Sequence, residues 1–86
     1  MVFFVYLVEC RDGSFYCGHT KDIDERIKTH NSGRGGRYTR SHLPVKLVYF
    51  EKKKSRKSAM RRELEIKSFG RSAKELLVNG SEVNTK

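Results

Sequence analysis

The chain has 86 residues, 36% hydrophobic and 34% charged, with 19 Lys and Arg against 10 Asp and Glu for a net charge of +9. That length accommodates one hydrophobic core and excludes a second domain of ordinary size, while the clustering of the apolar residues excludes a disordered chain. No apolar run reaches the roughly 20 residues of a bilayer span, and the start of the chain lacks the basic lead and small-residue cleavage site of a signal peptide, so neither a membrane nor a secreted role is expected.

Val2–Glu9 is apolar at nearly every position, the pattern of a central strand covered on both faces. Arg11-Asp12-Gly13 carries turn chemistry and Ser14–His19 returns as a second strand, which makes a β-hairpin. A two-residue Asp12-Gly13 turn would set Tyr6 opposite His19 and leave Tyr6 and Tyr16 on opposite faces. A three-residue loop with Gly13 left-handed pairs Tyr6 with Gly18 and Tyr16 with Val8, placing both phenols on one face and open space beside the Tyr6 ring; this register is preferred. Asp22 caps a first helix, with Glu25 placed to close a capping box, and Asn31-Ser32-Gly33 stops it.

Asn31–Pro44 reads as a glycine-containing loop that carries Arg34, Arg37 and Arg40. Val45–Glu51 follows as a third strand, where Tyr49 reads as a core residue with its hydroxyl at the rim. Ser55 caps a second long helix that ends near Phe69 at Gly70. Ser72 caps a short helix ending near Val78, and residues 79–86 read as a flexible tail. The expected fold is α+β, a small three-stranded antiparallel sheet packed against helices in the order β-β-α-β-α-α, forming one domain over residues 1–78.

The charge is uneven. From Lys52 to Lys74 there are ten basic residues and only two acidic ones, Glu63 and Glu65. A solvated helix face normally mixes both signs, so this stretch points to a polyanion, nucleic acid before acidic membrane. Two cysteines, Cys10 and Cys17, make no disulfide scaffold, and with His19, His30 and His42 they show no zinc-finger spacing. Reduced thiols and a cytoplasmic location, nucleoid-associated when nucleic acid is bound, are expected.

Three residues resist a pure packing account. On a helical wheel Arg26 and His30 fall beside the Ile23–Ile27 stripe. Arg26 there either snorkels to water, pairs with Glu9 or Glu25, or binds an anion; His30 either bonds locally or serves a site. On the second helix Glu63 falls inside an apolar arc of Ala59, Met60, Leu64, Ile66 and Phe69. A surface Glu63–Lys67 pair, worth about 0.3 kcal/mol, is one reading, and a hard-metal ligand among cations is the other.

Val5-Tyr6-Leu7, eight residues, Tyr16-Cys17-Gly18, then Arg26 and Glu63 on successive helices, resembles the GIY-YIG nuclease superfamily over nearly the whole chain. Asp12-Gly13-Ser14, His30-Asn31-Ser32-Gly33, Tyr38-Thr39-Arg40 and Pro44–Tyr49 are similar to its small stand-alone group of predicted endonucleases. Val5, Leu7 and Cys17 depart from the motif's outer letters, all at apolar filler positions. The resemblance implies that Tyr6 and Tyr16 handle the attacking water and the scissile phosphate. It further implies that Arg26 binds the phosphate, His30 helps handle the nucleophile, and Glu63 holds one Mg²⁺ or Mn²⁺. The family's late asparagine finds only a weak counterpart in Asn79.

The expectation is therefore a metal-dependent endonuclease acting on DNA, branched or damaged DNA included, with RNA left open. Nucleic acid would dock on Arg34, Arg37, Tyr38, Arg40, Lys53, Arg56, Arg61 and Arg62. Phosphate contacts alone imply little sequence preference, unless a protein partner or dimer adds recognition. The alternative is a nucleic-acid-binding module that keeps the fold without turnover, although such a module has no need of the inward Glu63.

Overall fold

Strand β1 (Phe3–Glu9) has four consecutive buried residues, Val5, Tyr6, Leu7 and Val8. It is buried on both faces because it is the middle strand: the computed structural model, which describes residues 2–84, orders the sheet β2-β1-β3 with β2 at Phe15–Thr20 and β3 at Lys46–Lys53. Both neighbours run antiparallel to β1. The hairpin adopts the three-residue register, Tyr6 opposite Gly18 and Val8 opposite Tyr16, with Gly13 at φ +89°. Asp12 sets the turn by accepting hydrogen bonds from the Ser14 N–H and hydroxyl.

The alternation of β1 sends two clusters to opposite faces of the sheet. Val5 and Leu7 pack with Cys17, Tyr49, Ala59 and Ile66, backed by Phe69, Leu77 and Val78. This face is covered by α3 (Arg56–Lys67) and α4 (Arg71–Asn84). Tyr6 and Val8 pack on the other face with Cys10, Val45, Tyr16, Ile27, Leu43 and Leu47, under α1 (Ile23–Asn31) and the segment that follows it.

Two of the three expected caps form, while Ser72 lies inside α4, which already starts at Arg71. Asp22 Oδ1 accepts from the Glu25 N–H and Ser55 Oγ from the Ser58 N–H, satisfying donors that the first turn leaves orphaned. Two stretches differ from the sequence reading. The glycine-containing loop holds a single helical turn, α2 (Arg37–Arg40). The last helix does not stop at Val78 but runs to Asn84, through residues that read as a tail. Gly80 inside a helix costs only about 1 kcal/mol relative to alanine, too little to end it.

On α3 the apolar arc is narrower than the wheel suggests. Ala59 and Ile66 are fully buried, but Met60 is 47% and Leu64 69% exposed. Arg62 and Glu63 lie three and four residues after Ala59, so they flank the buried stripe, Arg62 toward β3 and Glu63 toward β2.

Candidate active site

Tyr6 is 1% exposed, and its ring lies over Gly18, where an added methyl group would fall 2.5 Å from the phenolic oxygen. Glycine is therefore required opposite Tyr6 by contact, not by backbone conformation. The Tyr6 hydroxyl meets His30 Nε2 at 2.9 Å and accepts a hydrogen bond from Arg26 Nε at 3.2 Å. One turn apart on α1, Arg26 and His30 thus converge on one atom of β1. Arg26 Nη2 donates to the Gly35 carbonyl at 2.9 Å, and Tyr6 and Tyr16 together support its positive charge. The Tyr16 ring stands edge-on to His30 at 5.4 Å between centroids.

His30 is fully buried, and its second nitrogen, Nδ1, lies 2.9 Å from Thr39 Oγ1. The Thr39 hydroxyl lies 3.4 Å from the Gly36 carbonyl, and when it donates there it accepts at His30 and Nδ1 carries the imidazole proton. Nε2 is then an acceptor, and the chain of donors has one direction: Arg26 to Tyr6, Tyr6 to His30, His30 to Thr39, Thr39 to Gly36. Burial and the Arg26 charge both push the His30 pKa below its ordinary value, which keeps the ring neutral. Burial raises the Tyr6 pKa more than Arg26 lowers it, so Tyr6 rests as a phenol.

Glu63 approaches from the opposite face, beside the edge strand β2. Its Oε1 lies 2.5 Å from His19 Nδ1, and its Oε2 lies 2.5 Å from Lys67 Nζ. Burial raises its pKa, but Lys67 and His19 more than offset this and hold the carboxylate below its usual range, ionised. Its charge reaches both Tyr6 and Cys17, whose thiol burial pushes up to about 12. The Glu63–Lys67 pair thus exists, with His19 as a further partner. A hard divalent cation fits this donor: the carboxylate is ionised and hard, and one of its oxygens already pairs with the Lys67 ammonium. Glu63 is the residue that would hold the ion, with Lys67 giving way. Among the described residues no group of three His, Cys, Asp or Glu side chains could form a fuller metal cage.

The sheet divides the other candidates. Arg34 and Arg40 are exposed on the Tyr6 face, on the segment after α1; the side chains of Arg37 and Tyr38 lie outside the described residues. Lys53, Arg56 and Arg61 belong to the side of the sheet that α3 covers. Arg62 is only partly exposed, and its guanidinium is committed to carboxylates of its own chain. It donates from Nε and Nη2 to Glu51 at 2.9–3.0 Å and from Nη1 to Glu65 at 2.8 Å, and it stacks on Phe69 with 5.8 Å to the ring centroid. Lys53 shares Glu51 at 3.1 Å, and Arg56 lies 6.0 Å from the Phe3 ring. Arg26 takes neither Glu9 nor Glu25 as its partner. Sequence reasoning missed His19, Gly35 and Thr39. For His19 a signal existed: it sits two residues after Cys17 and so shares its face.

A model of the GIY-YIG catalytic domain matches residues 2–75. A UPF0213 protein of Haloquadratum walsbyi is 46% identical over 82 residues, covering 94% of this chain and 92% of that one. A UPF0213 protein of Staphylococcus haemolyticus is 51% identical over 71 residues, covering 83% and 87%. Among solved structures, the solution structure of a UPF0213 protein from Bacillus halodurans is 48% identical with a TM-score of 0.59, over 92% of this chain and 84% of that one. A solution structure of a protein from E. faecalis is 34% identical with a TM-score of 0.64, over 96% and 88%.

Proposed function

The chain belongs to the GIY-YIG family, a nuclease superfamily, and on that footing we propose that it is a metal-dependent endonuclease hydrolysing phosphodiester bonds in DNA, branched or damaged DNA included, with little sequence preference of its own. The observation that carries this reading is the Tyr6 hydroxyl held between the Arg26 guanidinium and a neutral His30. A purely structural buried tyrosine needs one partner; this one has a cation on one side and a proton acceptor on the other.

The proton path follows from the hydrogen bonds. Water attacking phosphorus gives its proton to the Tyr6 oxygen while the Tyr6 proton moves to His30 Nε2. The water oxygen bonds to phosphorus, the bond to the leaving oxygen breaks, and that oxygen takes its proton from solvent. Thr39 holds the His30 tautomer that makes this direction available. Arg26 and Tyr16 face the phosphate, the guanidinium offering charge and directional donors to the oxygens where negative charge grows. Glu63 would hold a Mg²⁺ or Mn²⁺ ion, which would supply Lewis acidity to the reaction. Arg34 and Arg40, on the Tyr6 face, guide the strand.

The deciding experiment compares wild type with Glu63→Ala on nicked, branched and single-stranded DNA, with Mg²⁺ or Mn²⁺. Loss of cleavage with retained binding supports the nuclease and its metal residue. Tight binding without cleavage by either protein would replace it with a binding module, and cleavage indifferent to the substitution would expose a contaminant.

A further inference from the structure

Beside the Tyr6–His30 cluster lies an aromatic surface that the hydrolysis itself does not use. Phe4 precedes Tyr6 by two residues on β1 and therefore shares its face, and Phe50 is the cross-strand partner of Tyr6 on β3. The two rings meet edge-to-face at 5.9 Å and 71°. Phe50 remains 49% exposed, a high value for an aromatic residue in a sheet of this size. Together with Leu47 and the Lys21–Asp24 segment the rings line an open hollow of about 330 Å³. That is the volume of roughly ten water molecules, ample for a heterocycle the size of the ring beneath it. Lys52, directly across from Phe4, is exposed on the same face, and Lys21 lines the hollow.

Resting on the nuclease reading, we infer that the Phe4–Phe50 shelf stacks an unpaired nucleobase of the strand whose phosphate sits at Arg26 and Tyr6. The chemistry alternates as a nucleotide does. Lys21 and Lys52 suit phosphates on either side, and the exposed Phe50 ring suits a base face. The Asp24 carboxylate at the hollow repels a phosphate but accepts N–H groups from a base edge. An acyl chain would give neither lysine an anion nor the Asp24 carboxylate a donor. The shelf adjoins Tyr6 directly, since cross-strand partners stand only about 5 Å apart. Bases in an intact duplex are already stacked on each other, so the shelf selects single-stranded, flapped or frayed DNA over paired DNA.

The chain contains no tryptophan, so Phe50→Trp introduces a single indole reporter at a half-exposed position where the fold tolerates change. The full-length variant is titrated without metal, at one fixed salt concentration, with oligodeoxythymidylate and with a blunt duplex of equal charge. Binding is followed by fluorescence anisotropy of labelled DNA, alongside the indole emission. The expected result is quenching by the single strand and not by the duplex. Phe50→Ala, checked for folding by circular dichroism, should weaken single-strand binding roughly five- to hundredfold, the range of one stacked base, and change duplex binding less than about twofold. Three results would each overturn the inference. The first is single-strand binding that leaves the indole emission unmoved, and the second is equal losses on both DNAs in Phe50→Ala. The third is emission that follows protein concentration in the absence of DNA together with dimers in sedimentation, which would give the shelf to a second copy of the chain. Because no metal is present, a nuclease that ignores unpaired bases fails this test alone, and a chain that cuts nothing can still pass it.

Discussion

Tyr6 and His30 are 24 residues apart in sequence and 2.9 Å apart in space, one on the central strand and the other on the last turn of α1, with Thr39 fixing the far side of the imidazole. The pair is buried, and its hydrogen bonds accommodate a His30 protonated at Nδ1 with Nε2 accepting from the Tyr6 hydroxyl. A neutral acceptor is thereby aimed at a phenol that Arg26 also touches.

If the proton passes from Tyr6 to His30, removing either group should cost about 10²–10⁴ in the single-turnover cleavage rate, the usual worth of positioned acid–base groups. Tyr6→Phe and His30→Ala should therefore be slow cutters that bind DNA normally. The double variant should be no slower than the worse single one, because both act in one step. Additive losses would show two independent roles.

The pH dependence has a definite sign. The folded state lowers the His30 pKa from its ordinary value of about 6.5 through burial and the Arg26 charge. Above 6.5 the ring is neutral in both folded and unfolded chains, and its contribution to stability is fully present. As pH falls below 6.5 the unfolded chain takes a proton that the folded one refuses, so stability declines until the folded pKa is passed. Cleavage should show its acid limb only at the lower end of this window, where pH reaches the folded pKa and imidazolium, which cannot accept the Tyr6 proton, forms. Followed from about pH 7.5 to 4.5, thermal melting should begin to fall before the cleavage rate does in wild type, and His30→Gln should flatten the His30 part of the melting trend.

How much of this was legible in sequence depends on the range of the interaction. The hairpin register follows from Arg11-Asp12-Gly13, because a glycine able to adopt positive φ at the third loop position sets the strands' alignment. The caps at Asp22 and Ser55 are equally local. Arg26 and His30 stand out on the wheel because each is polar beside an isoleucine stripe. Their shared partner does not, since no periodicity says which strand atom lies beneath a helix. Arg62 shows the same limit more sharply. Its partner Glu51 lies on β3, eleven residues away, and the two meet only once Ala59 and Ile66 have packed α3 onto the sheet. Thr39 was hidden for another reason: it works from a four-residue turn inside a segment whose glycines read as loop.

Arg62 should accordingly behave as a structural residue. Glu51 is mostly buried, and its carboxylate stays ionised because Arg62, Tyr49 and Lys53 together outweigh the cost of burial. Arg62→Ala removes the paired donors and should lower stability by about 1–3 kcal/mol, read by denaturant unfolding. DNA binding should change little in its salt dependence. Arg34→Ala should do the reverse, leaving stability within about 0.5 kcal/mol and reducing the slope of log affinity against log salt by about 1.

Gly18 offers the most local test of how tightly the phenol is placed. An added methyl group would sit 2.5 Å from the Tyr6 oxygen and 2.8 Å from Cζ, distances that real side chains do not keep. The Gly18 backbone conformation itself admits alanine, so the strain falls on the Tyr6 ring rather than on the strand. The ring cannot swing freely, because Arg26 and His30 hold its hydroxyl and Val8, Cys10 and Val45 pack beside it. Gly18→Ala should therefore fold, losing about 1–3 kcal/mol to overpacking. Its cleavage rate should fall by at least about tenfold, since a displacement on the ångström scale disturbs both hydrogen bonds at once. DNA affinity should stay near the wild-type value, because Arg34, Arg40 and the Phe4–Phe50 shelf are untouched. A variant that folds with full activity would show that the Tyr6 oxygen need not be held where it is.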